Sequence, residues 1–154
     1  MKVQELMAVT HIVTGFEAKS KDLALRQLVK EFADLHPKLS ARTLLAALLK
    51  REEMGSTGIG GGIAIPHSKM AQVDKPTGLL ALSKGGVDFK ALDGEPVFLF
   101  FLLVYPESSV EEHLKALAKA AKIFRDNFVK QSVLAADSPK KIMQILLSKE
   151  AELK

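Results

Sequence analysis

The spacing of apolar residues along the chain predicts four helices, each beginning at a serine that can cap it. The capping serines are Ser20, Ser40, Ser108 and Ser138. The first helix should end near His36, before Pro37, and the second at Gly55, because glycine readily adopts the positive φ of a helix end. Ser108 with Glu111 matches a capping box at the start of the third helix. The predicted packed face of that helix comprises Val110, Leu114, Leu117, Ala121 and Phe124.

Shorter apolar runs between these helices predict strands. The runs cover residues 10–16, 63–66, 79–83 and 97–104. The last run is apolar throughout, as expected of a central strand covered on both faces, and Asp93-Gly94 marks a turn before it. Because helices and strands are interspersed, we expect an α/β fold. It should be a single domain over residues 1–154, with a mixed central β-sheet sandwiched between helices.

Composition narrows the chemistry open to such a domain. The 154 residues are 47% apolar and 26% charged, which is ordinary for a globular protein, and they include no cysteine. Disulfides, thiolate metal sites and cysteine nucleophiles are therefore excluded. The N-terminus lacks a leader pattern, and the longest apolar run is far below the ~20 residues that span a bilayer. We expect no direct membrane insertion and a cytoplasmic location.

A net charge of +4 raises the question of nucleic-acid binding. The lysines are spread along the chain, however, and one tyrosine and no tryptophan are available to stack on bases. We therefore expect no nucleic-acid partner.

The segment from Arg51 to Lys69 holds most of the candidate chemistry. Five of the ten glycines lie between positions 55 and 62, and such a backbone can approach anionic oxygens closely. The segment does not fit a P-loop, because no lysine follows Gly60. It does not fit a dinucleotide fingerprint either, because isoleucines stand where the third glycine belongs. A phosphate cradle and a flexible turn both stay open.

His67 follows the apolar run over residues 63–66 and should stand at a strand end beside the glycines. A neutral imidazole is a good nucleophile at physiological pH, and its phosphoramidate is labile enough for a relay. The alternative is a histidine with a purely structural place on the surface or in the core.

Two more residues have both a structural and a chemical interpretation. His113 is expected to face the sheet, either as a core histidine or as a second imidazole that donates a hydrogen bond to phosphoryl oxygens. Arg51, near the end of the second helix, either favours the helix dipole or binds phosphoryl oxygens with its planar guanidinium. Sequence spacing does not choose between these roles.

The remaining histidines indicate no site. His11 is expected in a strand and His36 at a helix end, and we assign neither a function. A metal site built from His67, His113 and Glu112 is conceivable, but no local ligand pair such as H-E-x-x-H exists. We therefore expect no metal and no cofactor.

The stretch Gly55-Ser-Thr-Gly-Ile-Gly-Gly-Gly-Ile-Ala-Ile-Pro-His67 resembles a known phosphorylation-site signature. The signature belongs to the mannitol/fructose type of enzyme IIA (EIIA type 2) of the bacterial phosphotransferase system (PTS), which includes a nitrogen-regulatory branch. The resemblance covers nearly the whole chain, including Phe89-x-x-Leu-Asp-Gly-x-Pro-Val97 and His113-Leu-Lys-Ala-Leu-Ala118. It implies a mixed sheet between helices, in agreement with the apolar pattern.

The resemblance also implies roles for particular residues. His67 would take the phosphoryl group, and Arg51 and His113 would contact its oxygens. The implied phosphoryl-binding loop comprises Ser56, Thr57, Gly58, Gly60 and Ser68. Ser68 departs from the family pattern, which usually has Gly, Ala or Cys after the histidine, and its hydroxyl could add a contact to the phosphoryl group.

The implied function is a stoichiometric phosphoryl relay that needs no metal or nucleotide. A phosphorylated HPr-like carrier would be the donor, and a IIB domain or regulatory target proteins would be the further partners. The absence of fused IIB, IIC or HPr segments favours the nitrogen-regulatory branch over a sugar-specific subunit that passes phosphate to a IIB domain.

Two hypotheses from other classes stay open. One is a non-catalytic protein-binding module with the same fold, which phosphorylation of the chain would exclude. The other is an anion- or nucleotide-binding enzyme that uses the glycine loop, which thermal stabilisation by ATP or NAD would support.

Overall fold

Residues 2–153 are described by a computed structural model. The α-helices in this range are α1 (Val3–Leu6), α2 (Lys21–Leu35), α3 (Ala41–Glu53), α4 (Val110–Phe124), α5 (Asn127–Ala135) and α6 (Pro139–Glu152). The strands are β1 (Ile12–Val13), β2 (Gly58–Gly60), β3 (Ile63–Ala64), β4 (His67–Lys69), β5 (Thr77–Val87) and β6 (Val97–Tyr105). A single 3-10 turn, Val9–His11, precedes β1.

The strands form one mixed sheet in the order β1-β5-β6-β3-β2. β5 and β6 pair antiparallel, whereas β1 lies parallel to β5. β3 and β4 follow each other along the same side of β6, both parallel to it: Ile63 pairs with Leu99, and His67 pairs with Leu103. The β3–β4 segment therefore runs along the central strand and ends in β4.

β6 lies between β5 and β3 in the middle of the sheet, and its side chains are buried on both faces. One apolar cluster, which includes residues of α4, α5 and α6, takes Leu99, Phe101, Leu103 and Tyr105. The other, which includes residues of α2 and α3, takes Phe100, Leu102 and Val104. A strand in this position has no polar alternation, which explains the unbroken apolar run in the sequence. The predicted α/β fold, a mixed sheet sandwiched between helices, is confirmed.

Three of the four predicted helix caps are confirmed. The hydroxyls of Ser20, Ser40 and Ser138 each accept a hydrogen bond, at 3.2 Å, from the amide three residues later. The third helix begins one residue later than predicted: Ser109, not Ser108, is the N-cap of α4, and its side chain makes no capping bond. A turn closed by the Ser109 amide on the Pro106 carbonyl, at 3.0 Å, sets this later start.

Backbone contacts also change two predicted strands. β1 is shorter than residues 10–16, and His11 lies in the 3-10 turn, not in a strand. The run over residues 63–66 does not form one strand, because Pro66 has no amide hydrogen and the Ile65 amide bonds to the Thr57 carbonyl at 2.9 Å. The Pro66 carbonyl still accepts the Leu103 amide hydrogen at 2.9 Å, so the chain stays beside β6 in one register from β3 to β4.

The predicted packed face of the third helix is correct only in part. Leu117, Ala121 and Phe124 contact the core. Val110 and Leu114 do not, since they are 53% and 57% exposed. The apolar stripe of α4 therefore continues past the sheet and presents two apolar side chains to solvent in the turns around His113.

Candidate active site

His67 begins β4, which has β6 as its partner in the sheet. Because His67 pairs with Leu103 in parallel register, its side chain points to the face of the sheet that α4 covers. Its Nδ1 donates a hydrogen bond to the Ile65 carbonyl oxygen at 2.9 Å, since a carbonyl can only accept. The lone pair of the neutral ring is therefore on Nε2, which bonds to no residue within 2–153.

The surroundings of His67 favour the neutral imidazole. Burial lowers the pKa of His67 below the ordinary value of 6.5, and the hydrogen bond to the Ile65 carbonyl opposes this without overcoming it. Smaller contributions come from Arg51 and His113, which lower the pKa, and from Glu52, which raises it. An anchored Nδ1 and a free Nε2 make the ring nucleophilic.

His113 is the fourth residue of α4 and lies against the end of β6, so its predicted contact with the sheet is confirmed. Its ring is parallel to that of Tyr105: the ring centroids are 3.8 Å apart, and the planes differ by 2°. Nδ1 of His113 is buried and has no hydrogen-bond partner in the described part of the chain. The interpretation of His113 as a core histidine satisfied by the backbone therefore loses its support.

Arg51 lies in the last turn of α3, as predicted, and its charge acts on both His67 and Tyr105. Its Nη1 donates a hydrogen bond to the Gly55 carbonyl oxygen at 2.9 Å, just beyond the helix end. Its charge contributes to the lowered pKa of His67. Burial raises the pKa of Tyr105, and the charge of Arg51 opposes that rise. A guanidinium, two imidazoles and a phenol ring therefore share one end of the sheet.

A buried ion pair holds the loop after α3, and the sequence analysis did not find it. Lys21 Nζ lies 2.8 Å from Glu52 Oε1, and the two side chains are 20% and 6% exposed. Glu52 Oε1 also accepts the Thr57 amide hydrogen at 3.0 Å, while Oε2 accepts the Thr57 hydroxyl. The position of Glu52 next to Arg51 is a signal that could have revealed it, whereas Lys21, far away in α2, gives none.

The predicted loop residues before His67 lead away from the imidazole. Ser56 Oγ accepts the Gly58 amide hydrogen at 3.0 Å, and Thr57 is bonded to Glu52. Gly60 pairs with Ile63, which is level with Leu99. His67 is level with Leu103, so about 13 Å of strand separates Gly60 from His67. Ser56 and Thr57 therefore lie nearer to the His67 end of the sheet than Gly60 does.

Ser68 follows His67 in β4. Because side chains alternate along a strand, it points to the face of the sheet opposite to the imidazole. Its hydroxyl donates a hydrogen bond to the Lys69 carbonyl oxygen at 3.2 Å. A contact from Ser68 to a group on His67 would therefore have to come from its backbone or from a rearranged side chain.

A family model matches residues 5–149: EIIA 2 of the phosphoenolpyruvate-dependent sugar phosphotransferase system. The chain belongs to this family. The nitrogen regulatory protein of Bradyrhizobium diazoefficiens is 36% identical to it over 146 residues, which is 95% of each chain. The fructose-specific EIIABC component of Bacillus subtilis is also 36% identical, over 95% of this chain and 23% of its own length.

Solved structures show the same EIIA type-2 fold. Nitrogen regulatory protein IIA-Ntr from Neisseria meningitidis has a TM-score of 0.86 and 34% identity, covering 94% of this chain and 98% of its own. IIA mannitol from Escherichia coli has a TM-score of 0.76 and 19% identity, covering 90% and 97%. At that lower identity the likeness shows the fold alone.

A second histidine pair lies elsewhere in this EIIA type-2 chain. The Nε2 atoms of His11 and His36 are 3.0 Å apart, and the ring of His36 stacks on Phe32 with centroids 4.4 Å apart. Burial lowers the pKa of both histidines, and the charge of His36 lowers that of His11 further. The contact engages the Nε2 atoms of both rings, and either ring can be the donor, so no backbone acceptor fixes the tautomer as the Ile65 carbonyl does in His67.

The described range contains neither a metal-type cluster nor a membrane-type helix. Across residues 2–153 of the EIIA chain, no three His, Asp or Glu side chains converge closely enough to hold a metal ion. Glu112, the conceivable third ligand, is exposed. None of the helices in that range is long and apolar enough to cross a membrane.

Proposed function

We propose that this EIIA type-2 chain is a phosphoryl carrier that accepts the group on Nε2 of His67. The hydrogen bond from Nδ1 to the Ile65 carbonyl is the observation that carries this proposal. It fixes the tautomer, so that the nitrogen with the free lone pair is the one that no described residue bonds. The roles that the family resemblance implies for Arg51 and His113 are supported by the effect of both groups on the pKa of His67.

The proposed transfer forms one P–N bond, breaks another and needs no proton transfer. The Nε2 lone pair of His67 attacks the phosphorus of a phosphohistidine on the donor, and the Nε2–P bond forms as the donor's P–N bond breaks. The donor nitrogen recovers its lone pair, while Nδ1 of His67 keeps its hydrogen on the Ile65 carbonyl. Arg51 and His113 donate hydrogen bonds to the phosphoryl oxygens, where charge must be stabilised. Of the predicted loop residues, Ser56, Thr57 and Gly58 are proposed to line this site, whereas Gly60, about 13 Å away along the strand, and the Ser68 side chain, on the opposite face of the sheet, are not.

Exposed apolar side chains beside the site support docking of a carrier protein. Val110 and Leu114 are more than half exposed in the turns of α4 around His113, and Met54, at the end of α3, is 81% exposed. Apolar side chains of this kind are what a protein partner covers. The proposed donor is an HPr-like phosphocarrier, the proposed acceptor is a IIB domain or a regulatory target, and the proposed location is the cytoplasm.

We infer that the chain belongs to the nitrogen-regulatory branch. The regulatory proteins of Bradyrhizobium and Neisseria match it over nearly their full lengths, with the structural match at a TM-score of 0.86. The equal identity to the Bacillus fructose component supports the sugar-specific alternative. A regulatory protein should not restore fructose or mannitol uptake to cells that lack their own IIA, and clear restoration would overturn this choice.

Phosphorylation by a reconstituted relay tests the carrier proposal. The purified protein is incubated with phosphoenolpyruvate, enzyme I and an HPr-type carrier, and intact masses are compared. We expect an acid-labile gain of one phosphoryl group in the wild type and in the control His36→Gln, and none in His67→Gln. No gain in the wild type with any HPr-type carrier tried would contradict the proposal and favour a non-catalytic binding module.

A further inference from the structure

No hydrogen bond at Nδ1 fixes the ring of His113. This atom is buried and has no partner in the described part of the chain, whereas buried polar atoms are usually hydrogen-bonded. His67 differs, because its Nδ1 is tied to a backbone carbonyl. Something other than a hydrogen bond at Nδ1 must therefore hold the His113 ring.

The ring of Tyr105 supplies a rigid surface for that purpose. The two rings are parallel to within 2°, with centroids 3.8 Å apart. Tyr105 is the last residue of β6, is 7% exposed, and pairs in register with Lys69 of β4. Its carbonyl oxygen also accepts the Met70 amide hydrogen at 2.9 Å. The backbone under the phenol ring is thus fixed by the sheet.

We propose that Tyr105 is a positioning residue for phosphoryl transfer, and that its aromatic face holds the imidazole of His113 in the orientation that presents Nε2 to the group on His67. This inference rests on the function proposed above. His113 is half-buried, and Nε2 is not among the buried unpartnered atoms, so this nitrogen lies on the open side of the ring. The proton of the neutral ring belongs there, because Nδ1 has no acceptor.

Two substitutions separate the aromatic face from the hydroxyl. Tyr105→Phe keeps the stack, and Tyr105→Leu removes it while keeping an apolar side chain. We expect Tyr105→Phe to accept phosphoryl groups at a rate within about twofold of the wild type and Tyr105→Leu to be about tenfold slower, the scale of one lost aromatic contact. Phe101→Leu is the matched control: Phe101 lies on the same face of β6 but packs on Phe124, with centroids 5.7 Å apart.

A measurement on the unphosphorylated protein makes the test independent of the relay. Nuclear magnetic resonance (NMR) of the His113 ring should show ring-current shifts and one dominant tautomer, with the proton on Nε2. This pattern should persist in Tyr105→Phe and Phe101→Leu and be lost in Tyr105→Leu. If the wild type is not phosphorylated, the proposed function fails, and the NMR pattern still decides the role of Tyr105.

Three results would overturn the inference. The first is a wild-type His113 ring without ring-current shifts, which needs no variant and so survives a Tyr105→Leu chain that fails to fold. The second is a Tyr105→Leu variant with unchanged ring signals and rate. The third is a Tyr105→Phe variant as slow as Tyr105→Leu, because the hydroxyl and not the aromatic face would then be the important group.

Discussion

His11 and His36 form one histidine pair of the molecule, and His67 and His113 lie together as the other. In the first pair the two Nε2 atoms bond to each other at 3.0 Å, so the lone pair of one ring takes up the hydrogen of the other. In the second pair, His67 is anchored through Nδ1 to a backbone carbonyl, and His113 is stacked on Tyr105. Burial lowers the pKa of His11, His36 and His67 alike. A lowered pKa therefore does not by itself mark a reactive imidazole.

The difference lies in which groups occupy the ring nitrogens. A carbonyl can only accept, so it fixes the hydrogen on one nitrogen of His67 and leaves the other with its lone pair. A second imidazole can donate or accept, so the His11–His36 contact engages both Nε2 atoms without fixing which ring carries the hydrogen there. In the proposed site pair, the charges of Arg51 and Glu52 both act on His67, and Glu52 is itself paired with Lys21. Variants at Glu52 should therefore change the stability of the protein, and variants at Arg51 should change the proposed transfer to His67.

Glu52→Ala should have the largest effect. It would leave Lys21 without its partner and the amide and hydroxyl of Thr57 without their acceptor. Removing one partner of a buried ion pair costs about 3–5 kcal/mol of unfolding free energy. Urea unfolding measures this, with Asp34→Ala as control. That substitution breaks the exposed Lys30–Asp34 pair and should cost at most about 1 kcal/mol. A loss in Glu52→Ala no larger than in the control would contradict the prediction.

Arg51→Ala should come next, with its effect on rate. Loss of one donor to the phosphoryl oxygens should slow acceptance by about 10²-fold. Arg51→Lys should recover part of the rate, since an ammonium keeps the charge but not the planar pair of donors. Single-turnover transfer from a phosphorylated HPr-type carrier measures it. Arg26→Ala, which removes an exposed arginine paired with Asp22, should transfer at the wild-type rate. An Arg51→Ala variant with unchanged transfer would show that Arg51 serves only the end of α3.

Local signals predicted most of the fold. The capping serines of α2, α3 and α6 can be recognised in the sequence because each cap is a contact between residues three positions apart. The apolar run of β6 can be recognised because both faces of that strand are buried. α5 was not predicted. Only Arg125 separates the end of α4 from Asp126, the N-cap of α5, so the apolar pattern of the two helices continues across the break. α1 is too short, at four residues, to show a period.

In the candidate site, the sequence could likewise reveal the residue types but not the tertiary contacts between them. His67, His113 and Arg51 could be named from the sequence because their residue types and the surrounding segments resemble a known signature. The bond from His67 to Ile65 depends on the orientation of the imidazole over the backbone two residues earlier, which no spacing reveals. The pairing of Tyr105 with His113 joins β6 to α4, and is a tertiary contact that the apolar run of β6 conceals.

The pH dependence of His67 tests the proposed site directly. Because burial lowers its pKa, the ring should stay neutral as the pH falls to 6.5 and become protonated only below that value. Nε2 then loses its lone pair, so phosphoryl acceptance should decline in the same range. An NMR titration of the ring measures the midpoint. Arg51→Gln removes a positive charge that lowers this pKa and should shift the midpoint upward. A wild-type midpoint at or above 6.5 would show that burial does not control the ring.

The smallest effect is expected at the His11–His36 pair. His11→Ala removes the hydrogen bond to His36 and the longer, exposed one to Thr10, and should cost about 1 kcal/mol of unfolding free energy at pH 8. Both histidines have lowered pKa values when folded, so the unfolded chain takes up protons first as the pH falls through 6.5, and stability declines from there to the lowered pKa. Urea unfolding at pH 8 and pH 5.5 should show a smaller acid-dependent loss in His11→Ala/His36→Ala than in the wild type. Phosphoryl acceptance should stay unchanged in the same double variant. Impaired transfer would mean that the two pairs are coupled, and an acid-dependent loss equal to that of the wild type would mean that this pair does not sense pH.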